Sequence, residues 1–323
     1  MREEDHRETT LGDSGEAAAE GPAPIGASAD GGPEDEVASP NPFKAVRSRT
    51  LIPWMLLVYP GLVLVAFLAG HLVRVDMEGQ AFQFLGDYLP LSIAMVTWVL
   101  WATRRSGVGI RQLIGRVPAG YNWLGALGIL LVAMVFSLGS AVVIEYVVSL
   151  FAPGHIEWLM GIKMVPEAES GLLYMVVWCL AIVVIAPTVE ETIFRSMLIN
   201  RWGTKWRLST AVIASSLFFG VIHLTFWVGP AMLGLVLAVM YIQSRTLIVP
   251  IAVHAANNFM ALSLGLLAEG GTEAEDQAAE GLLAEPLTGA ALMAVTLPIL
   301  IWYLRRNWPT RDAEIPYVGN EGE

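Results

Sequence analysis

Residues 171–199 read GLLYMVVWCLAIVVIAPTVEETIFRSMLI, an apolar run that ends in charged residues. At 1.5 Å per residue, the segment is long enough to cross about 30 Å of hydrocarbon. It must then be a helix, because lipid offers no partner for an unpaired backbone amide. Its second half nevertheless contains Glu190, Glu191 and Arg195. Charges inside a membrane are costly unless they are paired or hydrated, so these residues mark a candidate functional site.

Apolar runs of this kind recur along the chain. Of the 323 residues, 55% are hydrophobic and 15% charged, whereas a soluble domain carries about a quarter charged residues. We therefore predict an all-α, polytopic transmembrane helix bundle. The breaks between runs give about eight spans, at 51–73, 84–103, 121–151, 171–199, 208–225, 227–245, 249–267 and 287–304. Cys179 is the single cysteine, which excludes disulfides within the chain and cysteine-rich metal sites.

The distribution of lysine and arginine predicts the orientation of these spans. When the connections are assigned alternately to the two sides, one side holds only Arg74 and Lys163. The other side holds fifteen basic residues, among them Lys44, Arg105 and Arg201. Basic residues accumulate on the cytoplasmic side. Both termini are therefore expected in the cytoplasm, and the protein is expected to be a multi-pass integral membrane protein.

The segments outside the spans differ in composition. Residues 1–43 hold eleven acidic residues and two arginines, which supply most of the net charge of −11. This stretch has few large apolar residues, so we predict a disordered acidic tail. Residues 44–120 comprise N-terminal transmembrane helices and a short interfacial segment at 107–118. Residues 121–308 form the main transmembrane core, and 309–323 a C-terminal tail. No nucleic-acid partner is expected.

Helical spacing indicates which ionisable groups can cooperate. Glu191 and Arg195 are four residues apart, on one helix face, and can form an ion pair. Glu190 lies about 100° around the helix and is not held by that pair. His254 and Asn258, in the seventh span, also share a face.

His223 lies on a separate span and reaches this group only through the packing of the bundle. Two imidazoles, a carboxylate and an amide in a low-dielectric pocket can activate water and stabilise an oxyanion. Each member also has a structural interpretation. The Glu191–Arg195 pair can be architectural, and a lone intramembrane His or Asn is more often an interhelical hydrogen-bond partner. Phe219 is interpreted as packing, and Glu145 as structural or cavity-lining.

Depth in the membrane limits how these residues can meet. With straight helices, His223 is roughly 24 Å from Arg207 on the cytoplasmic side. We therefore expect the fourth and fifth spans to extend beyond the bilayer there, with Trp202 and Trp206 near a surface turn around Gly203.

The order and spacing of these motifs resemble a known family. Glu190-Glu191-x-x-x-Arg195, then Phe219-x-x-x-His223, then His254-x-x-x-Asn258 are similar to the motifs of the CPBP family. That family comprises type II CAAX prenyl endoproteases and their prokaryotic relatives, including bacteriocin-processing and self-immunity proteins. The resemblance covers about 171–267, within the core at 121–308.

The resemblance implies a role for each residue. Glu190 would be the general base that activates water, assisted by His223. His254 and Asn258 would stabilise the oxyanion of the tetrahedral intermediate, and Glu191 and Arg195 would support the site.

Metal dependence is left open by the resemblance, since family members have been described both as metalloproteases and as metal-independent glutamate proteases. Glu190, His223 and His254 can supply a three-ligand zinc site with one open position. The chain has no His-Glu-x-x-His helix, the strongest sequence signal for such a zinc site. We therefore favour a mechanism without a cofactor, with zinc as the alternative.

The predicted function is an intramembrane endopeptidase that cuts a peptide bond near the cytoplasmic membrane face. Its partners would be the bilayer and a membrane-associated peptide or protein, prenylated or unmodified. In a prokaryote the membrane would be the plasma membrane. The alternatives are a proton-coupled transporter, in which Glu145, Glu190 and the histidines relay protons, and a non-catalytic immunity or scaffold member of the same fold.

Overall fold

Every predicted span coincides with a helix. The computed structural model describes residues 41–73, 80–152, 154, 172–269 and 285–320, and these contain helices without β-strands. In chain order the helices are α1 (Leu51–Val73), α2 (Gln80–Ser106), α3 (Ile110–Ile114), α4 (Trp123–Phe151), α5 (Leu172–Lys205), α6 (Leu208–Val221), α7 (Val228–Ser244), α8 (Ile248–Glu269), α9 (Pro286–Asn307) and α10 (Pro316–Gly319). Helix α3 lies within the predicted interfacial segment.

Five helices have the length and apolarity needed to cross a membrane: the stretch Ser48–Val73, α4, α5, Ile248–Leu267 and α9. Helices α6 and α7 are apolar but shorter. Large side chains point outward all along α1, where Leu57 is 77% exposed and Leu72 84%. Apolar surface on this scale is stable in lipid rather than in water. The protein is an all-helical integral membrane protein, and the count of eight spans and the cytoplasmic termini stay predictions.

Helix α5 occupies the centre of the fold and packs against α2, α6, α7 and α8. Its 34 residues correspond to about 50 Å, which leaves room for the predicted extension beyond a bilayer. The turn expected around Gly203 lies three residues later, at Trp206 and Arg207. The helix continues through Gly203 to Lys205, and this glycine packs against Ile315 and Leu208, where a Cβ would meet Ile315 at 2.7 Å.

Helices α4 and α9 cross at two glycines. A Cβ on Gly139 would lie 2.7 Å from the carbonyl oxygen of Gly289, and a Cβ on Gly289 would lie 2.8 Å from that of Gly139. Small residues let membrane helices approach closely. This crossing closes one side of a core that α4, α7, α8 and α9 share.

The two ends of the described chain pack against the end of α5. Phe43 is fully buried and meets the ring of Tyr317 edge-on, with centroids 5.1 Å apart. Asn200 of α5 accepts a hydrogen bond from the backbone N–H of Tyr317 at 3.1 Å and donates to the hydroxyl of Tyr241 at 2.8 Å. Residues 313–320, within the predicted C-terminal tail, thus help to close the core. The predicted acidic tail lies outside the described residues up to residue 40.

Candidate active site

Glu190 and Glu191 lie between two π-helical stretches of α5, Ala181–Ile185 and Thr192–Ile199, and Arg195 lies within the second. A π-helical turn shifts the hydrogen-bond register and exposes carbonyl groups that an α-helix would use, and such turns are frequent at functional sites. Here side chains from other helices bind the exposed carbonyls. The hydroxyl of Tyr88 in α2 donates to Ala181 at 2.9 Å, and the amide of Asn258 in α8 donates to Ile182 at 2.9 Å.

Glu191 is fully buried and has two partners. Its Oε2 lies 2.9 Å from Nε of Arg195, as the helical spacing predicts, although the contact is poorly aligned for a hydrogen bond. Its Oε1 accepts a hydrogen bond from Nδ1 of His254, also at 2.9 Å. The second contact joins α5 to α8 and was not predicted, because spacing along one helix says nothing about a residue 63 positions away.

The guanidinium of Arg195 is enclosed by aromatic rings. Its central carbon lies 4.7 Å from the ring centroid of Phe219 and 5.9 Å from that of Phe194. The terminal nitrogens of Arg195 have no hydrogen-bond acceptor in the described part of the chain. Glu191 and the ring faces therefore provide most of the compensation for this buried charge.

Glu190 is held more loosely than its neighbour. Its side chain is 22% exposed, and its Oε2 lies 3.8 Å from Nε2 of His254. Since Nδ1 of His254 donates to Glu191, Nε2 is the nitrogen that faces Glu190. The two adjacent carboxylates thus contact opposite nitrogens of one imidazole, Glu191 through a hydrogen bond and Glu190 at a longer distance.

Phe219 is a packing residue, as expected, and it also connects the site. It is 1% exposed, and its ring lies 4.7 Å from that of His223 and 5.7 Å from that of His254 between centroids. His223 follows the C-terminal end of α6 and is exposed, and its Nδ1 donates to the carbonyl of Phe219 at 2.7 Å. The ring of Phe219 therefore contacts both imidazoles as well as the guanidinium of Arg195.

Asn258 lies one turn after His254 and is half-buried. One amide hydrogen is used by Ile182, and Oδ1 accepts from Asn257 at 3.2 Å. An amide carries two N–H donors, so the second remains available to another acceptor. Asn258 thus combines a structural contact to α5 with a second N–H that no acceptor in the described part of the chain binds, one helical turn from His254.

Sequence reasoning missed Tyr88, which belongs to the N-terminal helices that the family resemblance does not reach. A signal was present, because Tyr88 and Ser92 place two hydroxyls on one face of an apolar helix. Glu145 of α4 forms no ion pair with the residues of this site among the side chains that the structure describes.

The zinc alternative can be compared with this geometry. Each histidine uses Nδ1 to hold an oxygen, which leaves Nε2 for a ligand, as in many zinc sites. Across the described ranges, however, no three His, Cys, Asp or Glu side chains lie close enough together to hold one ion. The three residues do not fit a shared site in this arrangement, and no step below uses a metal.

Comparison with known proteins agrees with the motifs. Residues 172–260 match the family model described as type II CAAX prenyl endopeptidase Rce1-like. The match contains every motif residue from Glu190 to Asn258 and confirms the resemblance predicted from sequence. No curated protein and no solved structure matches the chain.

Proposed function

We propose that this chain, with its endopeptidase-like segment at 172–260, is an intramembrane endopeptidase that hydrolyses a peptide bond near the cytoplasmic face. The proposal rests on the difference in environment between the two carboxylates. Glu191 is occupied by Arg195 and His254, whereas Glu190 is partly exposed and has only a 3.8 Å approach to His254. A general base needs a free carboxylate beside a space that water and substrate can enter.

In the proposed reaction, Glu190 takes a proton from a water molecule while the water oxygen attacks the carbonyl carbon of the scissile peptide. His223, exposed at the rim, assists in orienting that water. The carbonyl oxygen becomes an oxyanion, which hydrogen-bond donors aimed at it stabilise. Glu190 then passes its proton to the amide nitrogen and the C–N bond breaks. The new carboxylic acid gives its proton to the amine, so that a carboxylate and an ammonium group leave the site.

The oxyanion donors would be Nε2 of His254 and the second amide hydrogen of Asn258. For Nε2 to donate, the imidazole must carry both protons, and Glu191 accepts the one on Nδ1. This parallels the carboxylate that orients a catalytic histidine in serine proteases. Arg195 in turn balances the charge of Glu191. Both act through His254 and are positioning residues.

The proposed substrate is a peptide segment in or on the membrane, prenylated or unmodified, with no cofactor required. In a prokaryotic cell the enzyme would reside in the plasma membrane. The test compares new peptide N-termini in membranes that contain wild-type protein or Glu190→Gln. Termini that appear only with the wild type support hydrolysis and identify the substrate. Identical peptide profiles at equal protein levels would refute the proposal.

A second experiment, on vesicles that contain the purified wild type or Glu190→Gln, tests the alternative of proton transport. A pH-sensitive dye enclosed in vesicles with the purified protein reports proton flux directly. Flux that Glu190→Gln abolishes, together with unchanged peptide profiles, would replace the proposed enzyme with a transporter. Absence of both activities would favour the non-catalytic scaffold.

A further inference from the structure

A cavity of about 780 Å³ lies at the end of α5 remote from the π-helical stretch Ala181–Ile185. Its walls come from residues 44–52, the end of α2, the end of α5 and one residue of α6. Six basic side chains line it: Lys44, Arg47, Arg49, Arg105, Arg201 and Lys205. Arg201 is half-buried and the other five are exposed.

These cations have no acidic partner among the described residues. The ion pairs between the side chains that the structure describes join only Arg195, His254 and the two glutamates of the active site. Two of the six cations lie over tryptophan rings, with Arg105 at 5.8 Å from Trp101 and Lys205 at 5.6 Å from Trp206. Six like charges around one concave space repel each other, and an anion bound there would relieve that repulsion.

Apart from Ser48, the rest of the cavity wall is apolar. Leu51, Ile52, Leu198 and Phe218 line it together with Trp202 and Trp206. Ile52 is 57% exposed, and Phe218 is half-buried. A small inorganic anion has no apolar group that could bury this surface. A ligand that carries an acyl chain beside its charged group would cover it.

Two apolar stretches that are long enough to cross a membrane meet at this cavity. The apolar stretch Ser48–Val73 begins at its edge, and the apolar stretch Leu172–Lys205 ends there. The tilted rings of Trp202 and Trp206, with centroids 5.6 Å apart, are part of its wall, and tryptophan is enriched at the level of the headgroups. This is also the side that holds the excess of basic residues, as the cytoplasmic side does.

We infer that this cavity binds an anionic phospholipid, with its phosphate among the six cations and an acyl chain along the apolar wall. Basic pockets between membrane helices recognise anionic headgroups in this way. The site is separate from the proposed catalytic residues and does not depend on their activity.

The test measures bound lipid on the full-length protein in neutral nanodiscs doped with phosphatidylglycerol. Native mass spectrometry counts the phosphatidylglycerol that stays bound, with phosphatidylcholine as the reference lipid. The pocket variant is Arg47→Gln with Arg201→Gln. Its affinity for phosphatidylglycerol should fall about 30-fold, from roughly fivefold for each cation removed. Arg47→Lys with Arg201→Lys retains both charges and should stay within about threefold of wild type.

The matched control removes two exposed cations outside this cavity, Arg111→Gln with Arg116→Gln, and should leave the affinity unchanged. Equal loss in this control would overturn the inference, because binding would then reflect charge in general. Retained binding by the pocket variant would overturn it as well. Soluble glycerophosphate that binds as tightly as the lipid would assign the cavity to a free phosphate and contradict a lipid site.

Discussion

Replacement of Glu191 by glutamine tests how the buried charges are balanced. Glu191 and Arg195 are both 0% exposed, and the guanidinium has no well-aligned hydrogen-bond acceptor in the described part of the chain. Glu191→Gln therefore leaves a cation buried without its counter-charge. Removing one partner of a buried pair costs about 3–5 kcal/mol. The same change also weakens the hydrogen bond that His254 donates to Glu191.

The double variant Glu191→Gln with Arg195→Met separates stability from catalysis. Removing both charges and keeping the volume is often neutral for stability. The double variant should therefore recover most of the 3–5 kcal/mol, while peptide cleavage stays reduced by roughly 10²–10⁴-fold because His254 has lost its carboxylate.

Equilibrium denaturation with increasing SDS in mixed micelles measures stability for the wild type, both single variants and the double variant. The double-mutant cycle should give a coupling energy above about 2 kcal/mol. Two outcomes would contradict the argument. In one, Glu191→Gln is as stable as the wild type; in the other, the double variant cleaves at the wild-type rate.

Four further predictions concern the residues that position the site, the helix packing around it and its metal content. Tyr88→Phe removes the hydroxyl that binds the carbonyl of Ala181 and should lower kcat several-fold at constant KM, with stability changed by about 1 kcal/mol; an unchanged kcat would remove Tyr88 from the site. A Cβ at Gly220 would lie 2.6 Å from the backbone oxygen of Trp227, just before α7. Gly220→Ala should therefore destabilise the protein by about 1–3 kcal/mol in the same denaturation assay. Asn200→Ala removes the acceptor for the N–H of Tyr317 and should speed hydrogen exchange of residues 313–320; protection equal to the wild type would refute the role of this contact. Purified active protein should contain no stoichiometric zinc by elemental analysis, whereas zinc that tracks with activity would reverse our preference for a metal-free mechanism.

The helices were predictable because lipid allows few alternatives. Each apolar run had to be helical, and a helix is present at every predicted span. The contact between Glu191 and Arg195 was predictable for a similar reason, since residues four apart on a helix are always neighbours.

Contacts between helices could not be obtained in this way. Nδ1 of His254 meets Glu191 only because α8 packs against α5, and no local spacing encodes that packing. The sequence likewise contains no pattern that predicts the π-helical stretches. The hydrogen bonds of Tyr88 and Asn258 to the carbonyls of Ala181 and Ile182 were therefore not predicted. Tyr317 lies in a short segment with no periodicity, and only the tertiary structure reveals that it is buried.

The central claim is that Glu190 is the base of a peptide hydrolysis. The most direct measurement is single-turnover cleavage of an identified membrane substrate by purified wild type and Glu190→Gln in the same vesicles. We expect a fall of about 10²–10⁴-fold in the cleavage rate, with an unchanged denaturation midpoint and unchanged substrate binding. Cleavage by Glu190→Gln at the wild-type rate, in protein that is equally well folded, would contradict the assignment.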